Sequence, residues 1–330
     1  MSGRIGGAAT ALVLLSAMAV VSDAAWAQSG KITLYTSQPD KIAADTVAAF
    51  RAKHAGVEVD IFRSGTTEVM NKLQAEFTAG DPRADLLLIA DAVSMEALKA
   101  AGRLLAVTDA DVSAYPEAAY DRDRTYFGTK LITTGIMYNT AAKKPTSWKD
   151  LADPSAKGQI VMPSPLYSGA AAIHMGALTS DPTLGWDYYK ALAQNGAVAV
   201  QGNGAVANAV RRGEKMYGVI VEFMAIDARA KGAPVDFVFP TEGVTAVTEP
   251  VAILKASKNP AAAKAFLAFL LSKEGQELAA KQGFLPAHKE VAPPAGFPKT
   301  ADVKIMPMNI KAVLDQDAAN KRRFNELFGG

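Results

Sequence analysis

The sequence predicts an α/β protein made of two α/β lobes that are joined by a two-strand hinge, with a ligand cleft between them. Three observations lead to this fold class. Strand-like and helix-like segments alternate over residues 31–90, which is typical of a layered domain with a parallel sheet. A second alternation covers residues 159–222. Strand-rich segments near 128–138 and 244–252 precede and follow it, and they predict two crossings between the lobes.

The first alternation is recognised by β-branched and aromatic residues in its strands and by apolar spacing in its helices. We predict strands at 31–36, 57–62 and 84–90, separated by helices at 40–54 and 64–80. The third strand, ADLLLIA, is a continuous apolar run, as expected for a strand that is covered on both faces.

The second alternation has the same character. It predicts strands at 159–163, 197–201 and 217–222, and helices at 169–178, 185–195 and 203–214. Further strands follow at 236–240 and 248–254, then one long helix at 261–283 and a last helix within 303–327. We therefore expect residues 28–130 to form the first part of lobe 1, residues 131–246 to form lobe 2, and residues 247–330 to return to lobe 1 and add the C-terminal helices.

Residues 1–27 have the layout of a cleavable signal peptide. Arg4 precedes an apolar run at 8–21, and the small-residue sequence Ala25-Trp26-Ala27 follows it. An uncleaved anchor helix is the alternative, but Ser22 and Asp23 interrupt the apolar run early. We expect cleavage after Ala27 and export to the periplasm.

The composition excludes several classes of site. The chain has no cysteine, so it cannot form a disulfide, a thiolate metal site or a lipid-anchored N-terminal cysteine. Its formal net charge is +2 without a long Lys/Arg tract, so we expect no nucleic-acid partner. The three histidines lie far apart, and neither H-E-x-x-H nor G-x-S-x-G occurs. We therefore expect no catalytic residues, no metal site and no cofactor.

Small polar residues stand at four places where a predicted strand ends and a helix begins. Open α/β sheets bind ligands at this edge, where helix N-termini attract anions through free N–H groups. Plain N-capping is the alternative for each place. The candidate ligand-binding residues are Ser37 and Gln38; Ser64, Gly65, Thr66 and Thr67; Ser168, Gly169 and Ala170; and Asn203 within Gln201-Gly202-Asn203-Gly204.

Two acidic residues also follow predicted strands. Asp91 comes after the strand at 84–90, and Glu222 ends the strand at 217–222. Either carboxylate could pair with a ligand ammonium or a metal; the alternatives are a helix cap for Asp91 and a solvated strand edge for Glu222. Phe223, beside Glu222, could line the pocket or fill the core.

The mature chain resembles the type II periplasmic solute-binding proteins of the ferric-iron, thiamine and phosphonate group. The resemblance rests on KITLYTSQPD, ADLLLIAD, TTGIMYNT, KGQIVMPSP, SGAAA, GNGAVANAVRRGE and TEPVAILKASKNP. Within this group, VEFMAIDARAKGAPVDFVFPTEG is most similar to the 2-aminoethylphosphonate-binding receptors of ABC transporters. The resemblance implies the two-lobe periplasmic-binding-protein type II fold.

The resemblance also implies roles for single residues. In the ferric receptors, Ser168, Gly169, Ala170 and Asn203 match positions that hold a bound phosphate. Two adjacent tyrosines hold iron where this chain has Glu222 and Phe223. Without these phenolate oxygens Fe(III) loses two of its hard anionic ligands, whereas the positions implied to bind an anion are kept. The 2-aminoethylphosphonate-like receptors carry Asp-Tyr at this place, so Glu222 keeps a carboxylate and Phe223 lacks the hydroxyl.

Taken together, these features predict the periplasmic substrate-binding component of an ABC importer. It would capture a small organophosphonate, with 2-aminoethylphosphonate as the first candidate, by closing its lobes, and deliver it as a monomer to an inner-membrane ABC permease. Receptors of the same fold for ferric iron with an anion, for a phosphate ester or for thiamine remain alternatives. A periplasmic hydrolase is the alternative from another class.

Overall fold

The computed structural model describes Gly3, residues 29–297 and residues 303–329. The predicted signal peptide at 1–27 lies, apart from Gly3, outside the described residues. In the described part of the chain, no helix is both long enough and apolar enough to cross a bilayer.

The first part of the chain builds three helices and four strands in alternation. They are β1 (Gly30–Thr36), α1 (Asp40–Lys53), β2 (Val57–Arg63), α2 (Thr66–Ala79), β3 (Leu86–Leu88), α3 (Ala92–Ala100) and, after a 3₁₀ turn at Glu117–Ala119, β4 (Tyr126–Gly128).

The middle part continues the alternation. It contains β5 (Lys130–Asn139), α4 (Lys149–Ala152), β6 (Ile160–Pro163), α5 (Gly169–Ser180), α6 (Gly185–Gln194), β7 (Val198–Val200), α7 (Asn203–Arg211), β8 (Tyr217–Val221), α8 (Glu222–Ala230), β9 (Val235–Val238) and β10 (Thr245–Val247). The last part contains β11 (Pro250–Ile253), α9 (Pro260–Leu271), α10 (Lys273–Lys281), β12 (Leu285–Pro286) and α11 (Ile310–Phe328).

The strands form two sheets, one in each lobe. The first has the order β2-β1-β3-β11-β4, with β1 parallel to β2 and β3, and β11 antiparallel to β3 and β4. The second has the order β10-β5-β8-β6-β7, and β9 and β12 also pair with the long strand β5. The predicted two-lobe α/β fold is confirmed. The residue boundaries predicted for the lobes stay a prediction; β12, which lies within the stretch 247–330 predicted to return to lobe 1, pairs with β5 of the second sheet.

Two crossings connect the sheets and lie against each other. Thr129 links β4 to β5, and Thr248 and Glu249 link β10 to β11. The Thr129 backbone N–H donates to Thr248 O over 3.1 Å, and Thr129 Oγ1 donates to Glu249 O over 2.8 Å. These hydrogen bonds make the two crossings one hinge.

Two C-terminal features differ from the sequence predictions. The helix predicted at 261–283 is broken at Ser272, whose backbone is extended and whose Oγ accepts from Gly275 N over 3.1 Å to cap α10. The final helix α11 packs against α5 and α6 of the second lobe and against α3 of the first. Its buried Phe324 joins the aromatic core around Trp148 and Tyr189.

Candidate ligand-binding cleft

A cleft of about 220 Å³ lies between the two lobes and next to the hinge. Both lobes contribute residues to its lining. The first lobe and the hinge supply Ser37, Pro39, Arg63, Gly65, Thr66, Ala90 and Glu249; the second supplies Ile132, Tyr167, Ser168, Gly169, Ala170, Gln201, Gly202, Asn203, Gly204, Ala205, Val221, Phe223 and Met224.

Three helices begin at this cleft. α2 starts after Gly65, α5 after Ser168, and α7 after Gly202, and all three flanking residues line the cleft. No helical turn precedes each start, so the first N–H groups of the helix have no intrahelical partners; of these, Thr67 N donates to Tyr167 O and Ala171 N to Ser168 Oγ. These groups and the positive ends of the helix dipoles favour an anion in the cleft.

Ser168 and Asn203 connect two of these helix starts. Ser168 Oγ accepts from Ala171 N and from Asn203 Nδ2, each over 3.3 Å. Asn203 Oδ1 in turn accepts from Val221 N over 3.2 Å, which ties α7 to the end of β8. Because both contacts use Ser168 Oγ as an acceptor, its hydroxyl proton can be donated to an anion in the cleft.

Arg63 adds a full positive charge that the sequence analysis missed. It is the last residue of β2, and its Nε donates to Gln38 O over 2.9 Å. Its Nη1 donates to Tyr167 Oη of the other lobe over 3.2 Å. A guanidinium has five N–H donors in a planar fork that suits phosphoryl and carboxylate oxygens. The signal in the sequence was a basic residue at a strand end, directly before Ser64-Gly65-Thr66.

The lobes touch across the cleft, so the structure represents a closed form. Thr67 N donates to Tyr167 O over 3.3 Å. A Cβ placed on Gly65 would lie 2.6 Å from the Tyr167 ring, and a Cβ on Gly169 would lie 2.8 Å from Ala90 O. Glycines therefore allow the two backbones to approach this closely.

The structure brings eight of the thirteen predicted site residues to the cleft, namely Ser37, Gly65, Thr66, Ser168, Gly169, Ala170, Asn203 and Phe223. The other five are not among the residues that line it. Ser64 Oγ contacts Glu68 Oε2 on the first turn of α2, and Thr67 contributes its backbone to the contact with Tyr167. Gln38, Asp91 and Glu222 have other partners.

Asp91 caps α3. Its Oδ1 accepts from Val93 N over 2.9 Å and from Ser94 N over 3.2 Å. Burial raises the pKa of this carboxyl above its ordinary value, although the contacts with Ser94 oppose the shift. In this structure Asp91 is therefore the N-cap of α3, as the alternative in the sequence analysis had it.

Glu222 lies behind the cleft wall and is 0% exposed. Its Oε2 accepts from Thr133 N over 2.6 Å, whereas Oε1 has no hydrogen-bond partner among the described residues. Desolvation raises the pKa of Glu222 to about 8. The carboxyl is thus buried in the second lobe and does not line the cleft, which excludes the predicted solvated strand edge, while its contact with a ligand stays a prediction.

Phe223, the next residue, lines the cleft and also packs on Phe284, with 4.3 Å between ring centroids. Both alternatives from the sequence therefore hold for this side chain.

Glu249 is a cleft residue that the sequence analysis missed. Its Oε2 forms an ion pair with Lys130 Nζ at 2.7 Å and accepts from Gln38 Nε2 over 3.0 Å. The side chains of Glu249 and Lys130 are both almost completely buried. Among the described residues that line the cleft, Glu249 is the acidic one and Arg63 the basic one.

Among the described residues, no group of three or more His, Asp or Glu side chains is arranged so that it could hold a metal ion.

A family model for bacterial extracellular solute-binding proteins matches residues 45–305. The chain belongs to this family. It is similar to the Fe(3+)-binding periplasmic protein of Serratia marcescens, with 29% identity over 295 residues that cover 84% of this chain and 85% of the relative.

Solved structures show the same fold. The periplasmic binding protein AfuA from Actinobacillus pleuropneumoniae, solved with exogenous fructose-6-phosphate bound, has a TM-score of 0.82 at 23% identity, covering 91% of this chain and 99% of that chain. Iron-bound HitA from Pseudomonas aeruginosa has a TM-score of 0.77 at 23% identity, covering 89% and 99%. The predicted type II periplasmic-binding-protein fold is thereby confirmed, and the 2-aminoethylphosphonate subgroup stays a prediction. The relatives named here are binding proteins, in keeping with the expectation that this chain is not an enzyme.

Proposed function

We propose that this protein is the periplasmic substrate-binding component of an ABC importer and that it captures a small phosphorus oxyanion by closing its lobes. The observation that carries the proposal is the convergence of Arg63 with the starts of α2, α5 and α7 on one closed interlobe cleft. Export with cleavage after Ala27, a monomeric state and delivery to an inner-membrane permease belong to the same proposal.

The donors in the cleft suit a phosphonate or phosphate group. A tetrahedral oxyanion presents several acceptor oxygens in different directions, and the cleft offers donors from both lobes. Arg63 supplies charge from the first lobe, while Ser168 and Asn203 supply neutral polar groups from the second. A ligand that needs donors from both sides binds the closed state better than the open state, so it shifts the population toward closure.

The size of the cleft favours a small ligand. Its volume of about 220 Å³ is below the roughly 300–1,000 Å³ of sites for drug-sized compounds. 2-Aminoethylphosphonate is therefore the first candidate. Fructose 6-phosphate is the comparison ligand for a phosphate ester, because AfuA was solved with it.

Ferric iron is the rival cargo, since the Serratia relative is a Fe(3+)-binding protein. Resemblance to the ferric receptors places two tyrosines where this chain has Glu222 and Phe223. A phenyl ring offers no oxygen ligand, and Glu222 is buried behind the wall. Fe(III) requires hard anionic oxygen ligands, and neither Glu222 nor Phe223 presents one to the cleft. These two residues therefore favour a phosphorus anion over ferric iron as the cargo.

Calorimetric titration of residues 28–330 with 2-aminoethylphosphonate, ethylphosphonate, fructose 6-phosphate and ferric citrate tests the proposal. We expect heat with at least one phosphorus ligand. We also expect about 2.7 kcal/mol of added stability in thermal unfolding at 100 times its dissociation constant. No heat with any of the three phosphorus compounds at millimolar concentration would overturn the proposal. A visible charge-transfer band with ferric citrate would favour iron, and loss of intact ligand after release would favour a hydrolase.

A further inference from the structure

We propose that Glu249 forms a cation-binding subsite in the cleft, so that the protein selects zwitterionic phosphorus compounds over simple phosphorus anions. This inference rests on the proposed function, because it assumes that the anionic end of the ligand lies near Arg63. It assigns to Glu249 the pairing with a ligand ammonium that the sequence predicts for Glu222.

The first argument is the position of the two carboxylates. Glu249 lines the cleft, whereas Glu222 is fully buried and its Oε2 is bonded to the Thr133 backbone. Only a carboxylate that reaches the cleft can form a charge-assisted hydrogen bond with a bound ligand. Of the two, Glu249 meets this condition.

The second argument is the state of the two Glu249 oxygens. Both partners of the carboxylate, Lys130 Nζ and Gln38 Nε2, contact the same atom, Oε2. Oε1 has no hydrogen bond to any described residue, and it is not one of the fully buried atoms that lack a partner. A carboxylate offers about four lone-pair sites, so Oε1 can accept from an ammonium while Oε2 keeps both of its partners.

The third argument is that one residue, Gln38, contacts both the basic and the acidic side chain of the cleft. Gln38 O accepts from Arg63 Nε over 2.9 Å, and Gln38 Nε2 donates to Glu249 Oε2 over 3.0 Å. Gln38 therefore holds the basic and the acidic residue of the cleft at a separation set by its own length. A short zwitterion presents the complementary pair, with its anionic end at Arg63 and its cationic end at Glu249.

Glu249 also connects this subsite to the hinge. Its carbonyl oxygen accepts from Thr129 Oγ1 on the other crossing, over 2.8 Å. Its backbone has φ +36°, a left-handed conformation that residues other than glycine rarely adopt. A ligand held by its side chain is thus held by a residue of the hinge crossing.

The experiment compares two ligands that differ only in the amine, 2-aminoethylphosphonate and ethylphosphonate. We expect the mature wild-type protein to bind the aminated ligand at least about tenfold more tightly, in line with a hydrogen bond between charged groups. In Glu249→Gln we expect this ratio to fall to about one, because the ligand amine loses its acceptor. In Glu222→Gln, the matched control, the ratio should stay at its wild-type value.

Glu249→Gln leaves Lys130 buried without its counter-ion, which is expected to destabilise the fold. The double variant Lys130→Gln with Glu249→Gln removes both charges and is titrated with the same two ligands. The ratio of the two affinities in the wild-type protein tests the subsite independently of how any variant folds. Equal wild-type affinities for both ligands, or equal losses for both in the Glu249 variants, would overturn the subsite and leave the anion receptor standing. No binding of either ligand to the wild type would also overturn the subsite, and the proposed function would fail with it only if fructose 6-phosphate does not bind either.

Discussion

Arg63 and Tyr167 join the two lobes directly across the cleft, through a hydrogen bond of 3.2 Å from the guanidinium Nη1 to the phenol oxygen. The contact has two components. Arg63 brings a charge that a ligand anion needs, and Tyr167 brings a group that meets it only when the lobes are closed. These components can be separated by substitution.

Arg63→Met, which keeps the length of the side chain but removes the charge, should weaken binding of the phosphorus ligand by roughly 10- to 100-fold. A hydrogen bond to a charged group contributes about 1.5–3 kcal/mol, and about 1.4 kcal/mol corresponds to a factor of ten. Tyr167→Phe removes the interlobe bond and keeps the charge, so its loss should stay below about tenfold. Calorimetry of both variants makes the comparison. Equal losses would show that Arg63 acts through closure and not through the anion.

Gly169→Ala should impair closure. The added Cβ would lie 2.8 Å from both Ala90 O and Thr66 Oγ1 of the other lobe. Overpacking costs about 1–3 kcal/mol, which corresponds to roughly 5- to 150-fold in affinity if the clash exists only in the closed state.

Gly204→Ala is the matched control for this prediction. Gly204 also lines the cleft, but a Cβ there would have no atom within 4 Å. Ligand affinity and the radius of gyration with and without ligand are the measurements. If Gly169→Ala compacts with ligand as the wild type does, closure does not require a residue without a side chain at position 169.

Glu222→Gln should change the pH dependence of stability. Burial raises the pKa of Glu222 from an ordinary value of 4.5 to about 8, so the folded state binds the proton more tightly than the unfolded state. The contribution of this group to the free energy of unfolding is therefore largest below about pH 4.5 and is lost as the pH rises toward 8.

Relative to Glu222→Gln, the wild type should lose on the order of a few kcal/mol between pH 5 and pH 8. Denaturant unfolding at fixed ionic strength measures this difference. Glu68→Gln, on the exposed face of α2, is the control, and its curve should follow the wild type. Parallel curves for Glu222→Gln and the wild type would show that this carboxyl has an ordinary pKa.

Asp91→Ala should destabilise the protein by about 0.5–2 kcal/mol, because it removes the cap of α3. Ligand affinity should change by less than about twofold, since Asp91 does not line the cleft. Asp91→Asn retains a capping oxygen and should recover most of the stability. A large loss of affinity in Asp91→Asn, with stability preserved, would instead show that the carboxylate contacts the ligand.

The elements that follow from short-range patterns were predictable. The strands β1 and β2 and the helices α5 and α6 begin within a residue of the predicted positions, because apolar spacing decides them locally. The break at Ser272 was missed because helix-forming residues stand on both sides of it, an apolar run before it and a mostly polar run after it. Ser272 ends the helix predicted at 261–283 by capping α10, and a Cβ on Gly275 would lie only 2.1 Å from Phe269 O.

Among the residues that line the cleft, the short polar ones were predicted and the long ones were not. Ser168, Gly169, Ala170 and Asn203 stand at or beside helix starts, so the local pattern was enough to select them as candidates. Arg63 and Tyr167 act several ångströms from their backbones. Their partners come from distant parts of the chain, which no local pattern identifies.

The sequence by itself determined the alternation of strands and helices, the two crossings and the polar helix starts, because these depend on neighbouring residues along the chain. Only the tertiary structure decided which carboxylate lines the cleft. Glu222 and Phe223 start α8, where successive side chains point about 100° apart, and the packing of Phe223 on Phe284 turns Glu222 into the lobe. Glu249 reaches the cleft because the hinge crossing carries it there, through contacts with Thr129, Lys130 and Gln38 that are far away in sequence.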